Sequence, residues 1–215
     1  MLQRGDNVKL QDCTLFKNTR IDTNNINIVQ FPNRFTIALE GDLSTALGIV
    51  LEGKIHIKAY SLGGKNFTLN TLNPGQLFGD VLIYGSQEKS YPGNLITQGE
   101  TKVAFIPNNE FQQFLYNDHD LLKNFLSVLS EKAYEMNINS KLLSQESIRD
   151  KIIFYLQQEK RKQKKQRILL NMTKEELANK LFIQRPSLSR ELSNMKTDGL
   201  IDYDRNSITL LWFLI

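Results

Sequence analysis

Cysteine and histidine are nearly absent from this chain of 215 residues: Cys13 is the single cysteine, and His56 and His119 are the two histidines. One cysteine closes no disulfide within the chain and supplies neither a cysteine-ligated zinc site nor an iron–sulfur cluster. Long apolar runs are missing as well. None approaches the roughly 18 residues of a membrane span, and the opening MLQRGDNVKLQD has no apolar segment of the signal-peptide kind. The expectation is a cytoplasmic protein with no membrane partner. No Walker loop, G-x-S-x-G or H-E-x-x-H is found, and Cys13 lies in a polar stretch with no companion signature that would make it a nucleophile. An enzyme is not expected, nor a metal or cofactor.

What is present divides unevenly. Residues 145 to 215 carry 14 Lys and Arg against 9 Asp and Glu, a net charge of +5, whereas residues 1 to 144 are close to neutral at −1. Much of the excess lies in KRKQKKQR, Lys160 to Arg167. Such a run steers a protein toward a polyanion, or is simply a solvated linker. The length accommodates two small domains, each with a core of its own.

From about Ile26 to Ile106 the sequence reads as short strands broken by turns. In KIHIKAY, Ile55 and Ile57 alternate with His56 and Lys58, the period of a half-buried strand, with His56 facing outward. Leu62-Gly63-Gly64-Lys65 supplies a hairpin turn, and Glu52-Gly53 and Pro74-Gly75 mark further reversals. Regular short strands predict a barrel or roll. Helices follow Pro107: a short one in NNEFQQFLYND and a long one from about Asp118 to Leu143. Along the long helix Leu122, Leu126, Leu129, Ala133, Met136, Ser140 and Leu143 recur at alternating spacings of four and three, a heptad seam that predicts a homodimer. Leu121, Phe125 and Val128 lie to the side of that seam, free to pack on the strands.

SQESIRDKIIFYLQQEK predicts a further helix, with Ile148, Ile152, Tyr155 and Leu156 on one side. Arg167 to Asn171 reads as a short strand. Thr173 and Glu176 form a capping box that opens a helix at Lys174. A second helix begins near Arg185, where Pro186 is tolerated because a first-turn N–H has no helical partner. Gly199 stops it, and LIDYDRNSITLL reads as two strands around Asp204 to Ser207. Helix, turn, helix and hairpin make a winged helix-turn-helix. The start of its second helix is where an arginine fork reaches guanine and small hydroxyls approach bases or phosphates, which assigns Arg185, Ser187, Ser189 and Arg190 to double-stranded DNA. Thr173, at a helix mouth, is placed for a phosphate.

With these elements in order, the chain resembles the Crp/Fnr family of bacterial transcription regulators. FPNRFTIALEGD and IVLEGKI are similar to that family's early roll strands, NPGQLFGD to its effector-pocket segment, the heptad helix to its dimerisation helix, and MTKEELANKLFIQRPSLSREL to its DNA-binding motif. The resemblance implies an α+β fold: a cyclic-nucleotide-binding-like β-roll over residues 1–117, a dimerisation helix over 118–144 and a winged helix-turn-helix over 145–215. It further implies a homodimer on a pseudo-palindromic operator, a small-molecule effector in the roll, and RNA polymerase as a candidate partner.

The family's effector positions fall on Gly79, Asp80, Lys89, Ser90, Met136 and Asn137. Members that bind cyclic AMP have glutamate and arginine where this chain has Asp80 and Lys89. A lysine lacks the planar fork of arginine and Asp80 reaches one methylene less, so cyclic AMP is not the expected ligand: the pocket serves a different effector or is vestigial. Haem sensing would draw on His56, His119 or Cys13, none in a matching motif. Pro186 stands where the cyclic-AMP group has a base-reading glutamate, and Phe182 where glycine is frequent, so the operator is the chain's own. The competing reading is a small-molecule-binding module that acts on a partner protein and has no need of Arg185 and Arg190.

Overall fold

The computed structural model describes residues 8–60, 66–85 and 89–211. The chain divides into two compact units, Met1–Glu131 and Lys132–Ile215.

The first unit is built on one antiparallel sheet. Its strands are β1 (Asn27–Phe31), β2 (Thr36–Ala38), β3 (Ala46–Tyr60), β4 (Asn66–Leu72), β5 (Leu77–Phe78) and β6 (Asn94–Pro107). The order is β1-β6-β3-β4, with β2 also paired to β6 and β5 to β3. Two long strands form its spine, paired from Ala46 opposite Pro107 to Lys58 opposite Asn94. Glu52-Gly53 is therefore no reversal. It is a bulge in one continuous strand, where the register shifts between Val50, Glu52 and Lys54. Gly53 has φ +72°, and a Cβ there would lie 2.3 Å from the Glu100 carbonyl oxygen, so only glycine lets the strand bend against its partner. Pro74-Gly75 does turn the chain, closed by the Gln76 N–H donating to the Asn73 carbonyl at 3.0 Å. The turn expected at Leu62 to Lys65 lies outside the described residues.

The period of the strands sets two cores. Leu47, Ile49 and Leu51 face one cluster with Ala104 and Ile106, while Val50 faces the other with Val103, Phe78, Leu72 and Leu95. The first cluster is completed by the N-terminal turns through Leu15 and Phe16, and by α1 (Asn108–Asn117) and α2 (His119–Leu143), which contribute Phe111, Leu121 and Phe125. Phe111 and Phe125 meet edge to face at 5.1 Å. Cys13 belongs to the same cluster. Burial and the neighbouring Asp12 push its thiol up to about 11, so it stays protonated and packs as a small apolar group. In the second cluster the Phe78 ring lies flat against the Gly48 backbone, with ring atoms 2.0 to 2.4 Å from where a Cβ would be. Gly48→Ala is expected to lower stability by about 1 to 3 kcal/mol through overpacking, measured as a shift in the denaturation midpoint.

Asp118 caps α2. Its carboxyl accepts the N–H groups of Arg20 (2.7 Å) and Leu121 (2.9 Å), which hold it below the usual carboxylate range. Along α2, Leu121 and Phe125 are fully buried in the first unit's core, as their position beside the seam predicts. Leu126, Met136 and Leu143 are 53%, 71% and 52% exposed. No helix among the described residues is long and apolar enough to cross a membrane.

The second unit comprises the end of α2, then α3 (Ile148–Gln163), β7 (Arg167–Leu169), α4 (Lys174–Lys180), α5 (Arg185–Thr197), β8 (Ile201–Tyr203) and β9 (Ser207–Leu210), the strands ordered β7-β9-β8. Its core gathers Leu142, Ile152, Leu156, Leu177, Leu181, Leu188, Leu192 and Met195. Lys160 to Arg167 is not a linker. Lys160, Arg161 and Lys162 form the last turn of α3, Lys164 closes it in the left-handed region at φ 53°, and Arg167 begins β7. Lysine and arginine are good helix formers, and cations complement the negative end of the helix dipole. The Gln163 amide then clasps β7, accepting from the Leu169 N–H at 2.9 Å and donating to the Leu169 carbonyl at 3.1 Å.

Candidate nucleic-acid interface and effector site

The capping box read in the sequence opens α4. The Thr173 hydroxyl accepts from the Glu176 N–H at 3.2 Å, and the Glu176 carboxylate accepts from the Thr173 N–H at 2.7 Å and from its hydroxyl at 2.9 Å. Thr173 is exposed, yet its hydroxyl already serves the fold. Thr173→Ala is expected to cost about 1 kcal/mol of stability, read from thermal or denaturant unfolding, while Thr173→Ser keeps the cap and the stability.

The turn between α4 and α5 is closed by the N–H groups of Phe182 and Ile183 donating to the carbonyls of Asn179 (3.1 Å) and Ala178 (3.0 Å). Phe182 sits at φ +54°, half exposed, a left-handed conformation that explains why glycine suits this place. Gln184 caps α5 without a side-chain bond, and Pro186 lies in the first turn. Leu188, Leu192 and Met195 are buried on one face, each contributing about 1.5 to 3 kcal/mol by leaving water.

That anchoring leaves the other face to solvent. Arg185 and Arg190 are exposed, and Ser187 and Ser189 are partly exposed. Among the described residues neither arginine has an acidic partner, and neither serine hydroxyl makes a hydrogen bond, whereas Ser130 and Thr197 spend theirs on carbonyls four residues back in their own helices. The acid beside Arg190 is already engaged: Glu191 accepts from Arg149 Nε at 2.6 Å, and a second guanidinium nitrogen of Arg149 reaches Asp198 at 2.8 Å. Arg149, on α3, thus grips α5 at two points and draws its carboxylates away from the solvent face. The sequence gives no sign of this, since the partners stand far apart along the chain.

The hairpin beside these helices is tied by Asp204, which accepts the N–H groups of Asn206 and Ser207 at 2.7 and 2.8 Å and pairs with Arg167 at 3.0 Å. Arg205 stands exposed at its tip. Lys174 and Lys196 lie over the Tyr203 ring, at 4.8 and 5.6 Å. A sequence reading that saw only a turn at Asp204 to Ser207 missed Arg205.

In the first unit, Gly79 takes φ +76°, with Ser44 Oγ and the Ala46 carbonyl within 2.9 Å of where a Cβ would stand. Asp80 follows, 3% exposed, opening a single tight helical turn over Asp80–Leu82. The Lys89 carbonyl accepts from the Ser44 N–H at 2.7 Å, and Ser90 forms a β-bridge with Leu43. Gly79, Lys89 and Ser90 therefore gather around the dipeptide Leu43-Ser44. The Ser44 hydroxyl also donates to the Tyr91 phenol at 3.2 Å, whose ionisation burial pushes upward. The Lys89 ammonium donates to the Ile83 carbonyl at 3.3 Å. Met136 and Asn137 lie exposed on α2 within the second unit. Residues 86–88 lie outside the described part.

A strand roll that carries a ligand-type loop, followed by a winged helix-turn-helix with an unpaired basic helix face, defines a class: regulators that join a sensory domain to a DNA-binding one. Known proteins agree. The profile of the cyclic nucleotide-binding domain matches residues 28–118, and that of the Crp-like helix-turn-helix domain matches residues 150–212. The cyclic AMP receptor protein of Thermus thermophilus is 25% identical over 173 residues, 80% of this chain and 77% of that protein. Among solved structures, the c-di-GMP-responsive global regulator CLP of Xanthomonas campestris superposes with a TM-score of 0.59 at 19% identity, covering 87% of this chain and 95% of that one. A CooA variant from Carboxydothermus hydrogenoformans gives 0.64 at 16% identity, covering 87% and 84%. At these identities the structural likenesses establish the fold. With both domain profiles matched in order, the chain belongs to the Crp/Fnr family of transcription regulators.

Proposed function

We propose that this regulator is a homodimer that pairs through the exposed seam of α2 and reads a palindromic operator with the start of α5. The observation that carries the reading is the outer face of α5, where Arg185 and Arg190 have no acidic partner and the Ser187 and Ser189 hydroxyls are unbonded among the described residues. An arginine fork bonds both major-groove acceptors of guanine, and small hydroxyls approach bases without steric cost. The mouth of α4, ordered by the Thr173 cap, serves the phosphate backbone. Two-fold pairing sets the half-site centres roughly 34 to 36 Å apart. Selection of bound fragments from random duplex DNA tests the reading: an inverted repeat with that spacing is expected, and recovery of unrelated sequences overturns it.

The effector site is formed within the first unit by Gly79, Asp80, Lys89 and Ser90, and its ligand is not cyclic AMP. Relatives are named for cyclic AMP and for c-di-GMP, so the domain's ligand varies. Here the would-be phosphate cation is a lysine that donates to a backbone carbonyl, and a lysine offers no bidentate fork. Calorimetry with cyclic AMP is expected to give no micromolar binding and no change in operator affinity. Micromolar binding with tighter operator affinity would show that Lys89 leaves Ile83 to grip the phosphate.

A further inference from the structure

We infer that the effector site of the first unit takes a small, uncharged, planar aromatic compound, which lies on the rings of Phe31, Phe78, Tyr91 and Phe105 and accepts a hydrogen bond from the Tyr91 hydroxyl. The inference rests on the effector reading above and names the ligand class of that same site. Both ends of the site lead into the rings: Phe78 directly precedes Gly79, and Tyr91 directly follows Ser90.

The face that carries these rings is incompletely covered. Phe105 stands opposite Asn27 of β1 and Gly48 of β3, so its strand is paired on both sides and the ring can meet solvent only over the face of the sheet. It is nevertheless only partly buried, as are Phe31, Ile57 and Tyr91 around it. On the opposite face, where α1 and α2 pack, the neighbouring Ala104 and Ile106 are sealed. Gly48 also stands opposite Phe78 of β5, and its lack of a side chain leaves room for the Phe78 ring to reach Phe105. Phe31 and Phe78 meet Phe105 from the β1 side and the β5 side, at 6.2 and 6.0 Å with interplanar angles of 80° and 83°. Tyr91 joins them 6.4 Å from Phe78. Rings set close to right angles present both faces and edges, the two surfaces an aromatic guest uses for stacked and edge-to-face contact.

The polar groups along this face leave one donor for a ligand. The Lys89 ammonium donates to the Ile83 carbonyl, and the Thr97 and Thr101 hydroxyls of β6 donate to the carbonyls of Pro32 and Gly99, at 2.7 and 3.1 Å. The Tyr91 hydroxyl accepts from Ser44 at 3.2 Å and has no acceptor for its own proton among the described residues. It lies 3.5 Å from where a Cβ on Gly79 would stand, at the effector loop itself. A carbonyl or ring nitrogen on the ligand takes that proton, whereas a phosphate finds Lys89 already engaged.

Ligand-observed NMR titrations of the full-length protein test the inference with acetophenone, with ethylbenzene, which keeps the ring without the carbonyl, and with cyclohexyl methyl ketone, which keeps the carbonyl without the ring. Acetophenone is expected to bind at least about fivefold more tightly than the saturated ketone. Tyr91→Phe is expected to weaken acetophenone about fivefold and to leave ethylbenzene unchanged. Phe105→Leu is expected to weaken both ring probes by about fivefold, with thermal unfolding measured alongside. If that variant fails to fold, Phe31→Leu carries the same comparison. A folded parent that binds neither ring probe at millimolar concentration overturns the inference, and so does equal binding of the saturated ketone, which would mark a merely apolar cavity. An equal loss of both ring probes in Tyr91→Phe overturns the hydrogen bond that the inference assigns. Cyclic AMP, titrated in parallel, separates the two levels of the argument. Micromolar binding of cyclic AMP removes the effector reading itself, whereas no binding by any of the four compounds removes the aromatic ligand and leaves that reading standing.

Discussion

Arg185→Ala weakens binding to the selected palindrome by roughly 1 to 3 kcal/mol at each half-site, and Arg190→Ala does the same. A symmetric dimer makes each contact twice, so the whole-operator loss is about 2 to 6 kcal/mol. The cause lies in how α5 is held. Leu188, Leu192 and Met195 fix one face in the core, and Arg149 fixes both carboxylates near its C-terminal half. Neither exposed arginine therefore trades an internal ion pair for a base. The variants lose affinity selectively: preference relaxes at one base pair per half-site, while binding to unrelated duplex changes little. Binding of each variant to a panel of single-base operator changes, at one salt concentration, decides the matter. Parent-like affinity and specificity in Arg185→Ala would remove that residue from the interface.

Leu126→Asp converts the protein to a monomer and lowers operator affinity by at least about a hundredfold. Leu126 is 53% exposed in the single chain and shares its stripe with Met136 and Leu143, so a charge there is tolerated by the chain's own fold and intolerable in a seam where it would face its copy. Loss of one half-site's contacts forfeits half of the binding free energy, which for a nanomolar complex is about 6 kcal/mol. Leu129 is a poorer probe. It packs partly against the core of the first unit, so a charge there disturbs the fold as well as the seam. Mass in solution and thermal unfolding, measured together, check the prediction. An unchanged dimer argues against this seam, and a folded monomer that still binds the operator as the parent does breaks the link between pairing and recognition.

The strand roll and the elements of the second unit were legible in the sequence because local rules govern them. The capping box at Thr173 and Glu176, the proline in the first turn of α5 and the stop at Gly199 depend on residues within a few positions of one another. The heptad stripe of α2 is legible for the same reason, and so is the burial of Leu121 and Phe125 beside it. Glu52-Gly53 failed because a bulge and a turn use the same residues. Only the pairing with β6, in which Glu52 meets Lys102 and Lys54 meets Gln98, made it a bend in one strand. The run from Lys160 failed because its charge pattern suits a solvated linker as well as a helix end, and the choice fell to the clasp between Gln163 and Leu169.

Order along the chain was enough to say where helices begin and which face of each is apolar, since a cap, a proline and an apolar period act within one or two turns. Folding then selected which of the polar residues are free to act. Arg149 reaches 42 residues along the chain to hold Glu191, and the pairing of Thr173 with Glu176 leaves the threonine a structural duty. Lys89 turns its ammonium to the Ile83 carbonyl. A side chain's type fixes what it can bond, but whether its bonds are already spent depends on partners that only folding brings within reach.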